Sequence, residues 1–347
     1  MAFTTVNAAN VEELWDTNFF TSYVRANRFK RYMGTTENSI IQIKDDLTKK
    51  AGDGITIPLI TELTGAGQTG NGLLENNEEA LGNFAHKLDV STIRHAVAVT
   101  DNDQQFTGIP LRDAGKEMLK LWMMSKLRAD IITALGSIGG IAYGTASAAQ
   151  RNAWLVANSD RVMFGDGSVG GYVTHATDVA AVTAAMKLTK EVVSKAKARA
   201  EQASPKIRPV TVGEDSETFV MFTDARAFRD LKADLATSLQ NAQERGDGNP
   251  LWNDGDLMWD GVVIRKIQEI ATLGAVGATA ALVSPYYLVG AQALGVAWAQ
   301  RTKSTTDTRD YGFIKGVGIH EMRGVEKLIY NGKDHGVFTG YVGALAL

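Results

Sequence analysis

Residues Gly52 to Thr100 constrain the fold more than any other stretch. Ile55-Thr56-Ile57-Pro58-Leu59-Ile60-Thr61-Glu62-Leu63 alternates, with Ile55, Ile57, Leu59 and Leu63 on one side, the period of a strand. His86 to Thr100 alternates too, but Leu88 and Val90 take even positions while Ile93, Val97 and Val99 take odd ones. A strand keeps one phase unless a residue bulges out, so a bulge or bend is expected near Ser91-Thr92. Fully extended, the second stretch would reach ~50 Å, far beyond the usual strand. Between the two lies Thr64 to Ala85, with Gly65, Gly67, Gly70, Gly72, Gly82 and the pair Asn76-Asn77. Loops that long are uncommon in compact domains and are usually functional. A lone two-stranded hairpin is marginal in water. The expectation is a long hairpin whose supporting surface belongs to a neighbouring copy of the same chain.

Length and composition bound the rest. A chain of 347 residues suggests about two domains, and 44% hydrophobic residues supply a substantial core. The balance of 36 basic against 39 acidic residues argues against a dedicated nucleic-acid binder but leaves room for a local basic patch. With no cysteine, disulfides and thiolate metal sites are excluded. No basic segment followed by an apolar run opens the sequence, so no secretory signal is expected. Ile270 to Gln300 carries no charge and is long enough to span a bilayer. Its Gly274, Gly277, Gly290 and Gly295 fit two buried strands around a turn at Ser284-Pro285 better, and no membrane partner is expected.

Other elements follow in order. Asn10 caps a helix through Leu14, Trp15, Phe19 and Tyr23, ending in the basic cluster Arg25, Arg28, Lys30 and Arg31. Pro110 opens the longest helix, to Leu135, with Leu111, Ala114, Met118, Leu121, Trp122, Ala129 and Ile132 on one face, widened by Met123, Met124, Leu127 and Ile131. A helix from about Asp178 to Ala203 follows. Lys187 to Arg208 holds seven basic and two acidic residues, with Lys187, Lys190, Lys195, Lys197 and Arg199 as a candidate interior basic patch. It reads either as a solvated helix face or as a weak contact with packaged nucleic acid. Phe219-Val220-Met221-Phe222 is a buried strand, and Asp224 caps a helix to about Arg245. Strands are expected at Gly261 to Ile267, Ala281 to Val283, Gly295 to Trp298, Phe313 to Ile319, Val325 to Tyr330 and Gly336 to Val342. An extended arm, a long helix and then mixed strands and helices make an α+β chain without a repeating βαβ pattern.

No active site emerges. Gly65-Ala66-Gly67-Gln68-Thr69-Gly70 and Gly165-Asp166-Gly167-Ser168-Val169-Gly170 match the dinucleotide pattern G-x-G-x-x-G, which needs a strand before it and a helix after it. The first precedes an acidic run without helical stripe, and the second precedes Tyr172-Val173-Thr174. His86, His95, His175, His320 and His335 lack zinc-site spacing. Asp101/Asp103 and Asp254/Asp256 sit beside turn residues, and serines lack the G-x-S-x-G elbow. No cofactor, metal or catalytic residue is assigned.

Thr56 to Leu63, Gly65-Ala66-Gly67, Leu73-Leu74-Glu75-Asn76-Asn77-Glu78-Glu79-Ala80-Leu81, Val90 to Val97 and Leu111-Arg112-Asp113-Ala114-Gly115 together closely resemble the major capsid proteins of tailed phages of the N-four-like type. Phe219 to Phe222, Pro250-Leu251-Trp252, Gly261 to Ile264 and Ser284-Pro285-Tyr286-Tyr287-Leu288-Val289-Gly290 resemble, in that order, the core of Hong Kong 97-type capsid subunits. The resemblance implies an N-terminal arm over 1–50, an extended loop over 51–105, a peripheral domain with a spine helix over 106–204, an axial domain over 205–300, and C-terminal strands over 301–347 returning to the peripheral domain. It implies a structural, non-enzymatic protein that self-assembles into hexamers and pentamers of an icosahedral head around double-stranded DNA. Such a protein occupies the host cytoplasm during assembly and then the virion. Its partners would be itself, a separate scaffolding protein, a portal and a decoration protein. The contact tip would comprise Gly65, Gly67, Gly70, Leu73, Leu74, Glu75, Asn76, Asn77 and Leu81. A cellular nanocompartment shell of the same fold and a dinucleotide-binding enzyme are the alternatives.

Overall fold

The computed structural model describes residues 27–45, 54–60, 83–107, 111–212, 216–235, 252–253 and 256–344, and within 61–82 only Gly67, Thr69, Glu75 and Glu78. The helix expected over Asn10 to Tyr23 lies outside them. Of its basic end, Arg28–Tyr32 forms one 3-10 turn, capped by the Asn27 side chain, which accepts from Phe29 N at 3.0 Å. The chain divides into two compact units, each discontinuous in sequence.

The first unit draws on Met1–Ile55, Leu88–Ser137 and Leu294–Lys327. It contains β1 (Met33–Gly34), β2 (Ile41–Lys44), β5 (Ser91–Thr100), α1 (Asp101–Phe106), α2 (Leu111–Leu135), β13 (Leu294–Arg309) and β14 (Ile314–Lys327). Its sheet runs β1-β2-β13-β14-β5. β13 pairs with β14 from Leu294↔Lys327 to Arg309↔Ile314, with register shifts around Gln300.

Helix α2 ends where expected, but its buried stripe is Gly115, Leu119, Met123, Leu127 and Ile131. Met118 and Leu121, assigned to the inner face from spacing, are 57% and 48% exposed. Apolar residues occur nearly all round this helix, so periodicity alone leaves its rotation open; the sheet chooses the side where glycine permits the closest approach. A Cβ on Gly115 would sit 3.3 Å from Val97 Cγ1.

The expected bulge near Ser91-Thr92 is a change of partner instead. β3 (Gly54–Ile60) pairs with β4 (Asn83–Asp89) as a separate two-stranded sheet. Val90 interrupts the strand, and β5 then joins β14 from Ser91↔Arg323 to Thr100↔Ile314. The phase of the apolar residues reverses because the two halves bury against different surfaces.

The second unit draws on Thr56–Lys87, Ile138–Ala293 and Leu328–Leu347. Its helices are α3 (Ala148–Ala157), α4 (His175–Ala180), α5 (Lys190–Gln202) and α6 (Ala225–Asp234). Its strands are β6 (Val162–Phe164), β7 (Val210–Val212), β8 (Ser216–Thr223), β9 (Trp252–Asn253), β10 (Asp256–Trp259), β11 (Val262–Lys266), β12 (Leu282–Val289), β15 (Ile329–Tyr330), β16 (Lys333–Asp334) and β17 (Val337–Ala344). The main sheet runs β6-β17-β12-β8-β11-β10-β9, with β7 beside β8. Helices α5 and α6 pack on it through Val192, Val193, Ala196, Ala200, Ala227 and Leu231. Asp224 caps α6 as expected, accepting from Ala227 N at 2.9 Å; the continuation toward Arg245 lies outside the described residues.

Two further expectations change. The helix over 178–203 is broken between α4 and α5, because carbonyls there serve a 3-10 turn at Ala278–Ala280 and strand β17. Ala278 N donates to Val182 O and Gly343 N to Met186 O, each at 2.8 Å. Ser284-Pro285 is no turn but lies inside β12, where Pro285 pairs with Tyr341. The ladder with β8 begins one residue later, at Tyr286, so that side needs no N–H from Pro285. The chain turns instead at residues 290–293, where Gln292 has φ of 54°.

Two histidines of this unit are buried. His175 lies 3.3 Å from the Tyr341 hydroxyl among Tyr143, Trp154 and Phe164. Burial, with Arg151 adding to it, lowers its pKa to about 4 against an opposing pull from Asp178. Burial, with Arg161 and Arg208, lowers His335 to about 4 as well. Both fold as neutral rings, whereas the unfolded chain takes up protons near pH 6.5. The unfolded state therefore binds more protons between pH 6.5 and 4. Stability is expected to fall across that window as pH drops, by about 2 kcal/mol per histidine. Urea midpoints at pH 7.5 and pH 5 test this: the gap should shrink in His175→Gln, and an unchanged gap would remove His175 as a cause.

Candidate assembly surfaces

The sheet of the first unit has one covered and one open face. Odd positions of β5 turn toward α2, with the His95 and Trp122 rings 4.6 Å apart. Beneath the helix lies a buried charge cluster. Glu321, fully enclosed, accepts from Trp298 Nε1 at 2.8 Å, Thr302 Oγ1 at 2.6 Å and Arg323 Nη1 at 3.2 Å. Arg323 Nη2 reaches Asp130 at 2.8 Å, and Asp130 also pairs with Lys126 at 2.8 Å. Buried charges persist only when opposed and hydrogen-bonded. Here they peg α2, β13 and β14 in one register.

Even positions of β5 face away from the helix. Thr92, Arg94, Ala96 and Ala98 are all exposed. Phe106, Tyr311 and Phe313, near the ends of α1 and of the β13–β14 ribbon, are also exposed, as are Met118 and Leu121 on the outer side of α2. Among the described residues, strand β5 is one of the sheet's two edges, the other being β1.

The hairpin is rooted by Ile55, Ile57 and Leu88, all buried, while Thr56 and Pro58 are exposed. His86 meets Tyr330 edge-on at 6.4 Å. Of the candidate tip residues, Gly67 and Glu75 are described and both are exposed. Gly67 has φ of +66° with nothing within 4 Å of a Cβ, a conformation that favours glycine. Gly65, Gly70, Leu73, Leu74, Asn76, Asn77 and Leu81 lie outside the described residues.

The candidate basic patch divides between two sides of α5. Lys195 Nζ donates to Asp166 O at 3.2 Å, and Arg199 Nη1 donates to Val162 O at 3.1 Å and Tyr172 Oη at 2.7 Å. On the other side Lys197 Nζ pairs with Asp260 at 3.2 Å. Lys187 and Lys190 are half-buried. Arg199 and Lys197 are committed within the subunit, leaving Lys195 the most exposed of the five.

The glycine run at 165–170 is a turn after β6, in which Gly167 N donates to Phe164 O at 3.0 Å. Beyond it, Asp178 accepts from Gly171 N at 2.9 Å and Tyr172 N at 3.0 Å. A carboxylate thus takes the two backbone donors that immediately follow the run. Among the described residues no three His, Asp or Glu side chains gather to hold a metal, and no helix is long and apolar enough to cross a membrane.

Sequence reasoning found the hairpin but missed the enclosed cluster around Glu321 and the open sheet face. Their residues stand far apart in the chain and meet only through the β5–β14–β13 register.

Against known proteins, the family model described as phage capsid protein matches residues 3–341. The major capsid protein of Pseudomonas phage KPP25 is 27% identical, over 95% of this chain and 94% of its own length. Among solved structures, the cyanophage Pam1 capsid asymmetric unit superposes with a TM-score of 0.85 at 40% identity, covering 93% of each chain. The capsid of Ralstonia phage GP4 follows at 0.74 and 21% identity, covering 92% of each, a likeness of fold.

Proposed function

This chain belongs to the phage capsid protein family and is a major capsid protein of a phage virion, with the Hong Kong 97-type fold; from that premise we propose that hairpin β3–β4 is the element through which each copy grips the next. The observation that carries this reading is the pairing of β3 with β4 and with no third strand among the described residues. Two strands by themselves bury too little surface for stability. Among the described residues, Ile55, Ile57 and Leu88 are the hairpin's buried apolar anchors in its own subunit, with His86 against Tyr330 beside them. Its outer length gains support when other copies surround it. Each copy would contact several others within hexamers and pentamers, so many modest contacts add up.

In this reading the segments 1–50, 51–105, 106–204, 205–300 and 301–347 act as arm, extended loop, peripheral domain, axial domain and returning strands. The near balance of charge suits a lining that meets packaged double-stranded DNA weakly, with Lys187, Lys190 and Lys195 more available than Lys197 and Arg199. A separate scaffolding protein, a portal and a decoration protein complete the set of partners. The work is structural: surface buried between copies, not catalysis.

Deleting residues 65–81 is expected to leave a soluble, folded subunit that forms no closed shells by negative-stain microscopy. Shells of normal size and yield from the deletion would overturn the reading.

A further inference from the structure

The geometry points to a receiving surface: the acidic segment 61–82 of one copy seats on the open sheet face of a second copy, against a rung on which the cations Arg94 and Lys303 flank His320. This rests on the reading that the hairpin grips a neighbour.

The rung follows from register. His320 is the partner of Arg94 on β5 and of Lys303 on β13, so the three side chains share the face turned away from α2. Among the described residues no carboxylate pairs with any of the three. The one acid on the neighbouring rungs of this face, Asp307, is taken by Arg309 at 2.5 Å. The rung therefore carries two uncompensated cations, Arg94 and Lys303.

Beside it the face is hollow. A cavity of about 1480 Å³ is lined by β5, β13 and β14 and by no residue of α2. Its next two rungs are Ala96, Gly318 and Thr305, then Ala98, Gly316 and Asp307. The subunit's own packing does not demand those glycines. A Cβ on Gly316 would meet nothing nearer than 3.7 Å, and one on Gly318 nothing nearer than 3.4 Å. Glycine inside a strand costs about 0.5–1 kcal/mol relative to alanine. What it leaves here is a floor low enough for another backbone to lie on.

The occupant is argued from charge and reach. Residues 61–82 contain Glu62, Glu75, Glu78 and Glu79 and no basic residue. The carboxylates of Glu75, Glu78 and Glu79 suit the two cations of this one rung better than a nucleic acid does, since DNA needs a longer positive track. A seven-residue strand carries the segment ~23 Å along the hairpin from Asp89. Within one chain β4 separates the segment from Arg94, so the face of a second copy is the one assigned. Giving and receiving surfaces then differ, a heterologous contact that closes into rings.

The test uses shells assembled from a mixture of isotopically heavy and ordinary full-length chains, treated with a carbodiimide that joins lysine to carboxylate without a spacer. Lys303 should be found linked to Glu75, Glu78 or Glu79, with heavy-to-light pairs marking links between copies. Links confined to one copy, or from Lys303 only to residues 1–26, would overturn the assignment. As a second measurement, R94E/K303E should lower shell yield at least about tenfold, equivalent to ~1.4 kcal/mol, with an unchanged circular dichroism spectrum. Adding E75K/E78K/E79K should restore the yield. Wild-type yield from R94E/K303E removes this surface alone; the 65–81 deletion decides separately whether the hairpin grips a neighbour at all.

Discussion

Replacing Arg161 by methionine is expected to cost the subunit about 3–5 kcal/mol, the range for breaking a buried charged contact from one side. The Arg161 side chain is fully buried. Its Nη1 donates to the carbonyls of Asp334 and His335, and its Nη2 to that of Pro205. Burial pulls its pKa down, while Asp160 and Asp334 hold it up, so the guanidinium stays charged. One side chain thereby satisfies carbonyls from two segments far apart in sequence, just before β6. Methionine fills similar volume but donates nothing, and each stranded carbonyl costs about 1–3 kcal/mol. Urea unfolding of the soluble subunit measures the loss. A cost below about 1 kcal/mol would mean that water reaches those carbonyls and that Arg161 is no strut.

Gly324→Ala is expected to cost about 1–3 kcal/mol and, more tellingly, to block shell formation in subunits that still fold. A Cβ at this position would lie 2.0 Å from Asp89 O and 3.0 Å from the Asp89 carbonyl carbon. Both are backbone atoms, so relief requires β14 or the Asp89-Val90 link to move. That link is where the hairpin ends and β5 begins, and shifting it re-aims the hairpin. Gly144→Ala, where nothing lies within 4 Å, is the control and should leave both stability and assembly unchanged. Normal shells from Gly324→Ala would show that the hairpin's direction tolerates the shift. Loss of shells in both variants would point to a general defect.

Elements whose signals are local are legible in the sequence. The run Phe219 to Phe222 becomes the buried end of β8, because an unbroken apolar run suits a strand covered on both faces. Asp224 caps α6 because its carboxylate reaches a backbone N–H three residues on. Errors arise where a distant surface decides. Helix signals continue through 181–189, yet Val182 gives its carbonyl to Ala278 of a 3-10 turn and Met186 gives its carbonyl to Gly343 of β17. Pro285 looks like a turn but sits in β12, one residue before the ladder to β8 begins. Met118 and Leu121 fit an inner face by spacing, yet Gly115, Leu119 and Met123 take it. Of the candidate surfaces, the hairpin shows in its alternation and glycine-rich tip. The Arg94–His320–Lys303 rung has no sequence signature.

The linear chain by itself determined the α+β class, the long helix from Leu111 to Leu135, the hairpin strands and the buried strands, and it carried the family resemblance. Each of these rests on periodicity, capping or turn chemistry among residues near one another. Only the tertiary structure decided which face of α2 is covered, where β4 gives way to β5, and which cations share a rung. Those outcomes depend on register between strands more than two hundred residues apart, such as Arg94 and His320. The physical reason is that a one-residue slip in pairing would turn every side chain to the opposite face, and local sequence carries no term that penalises it.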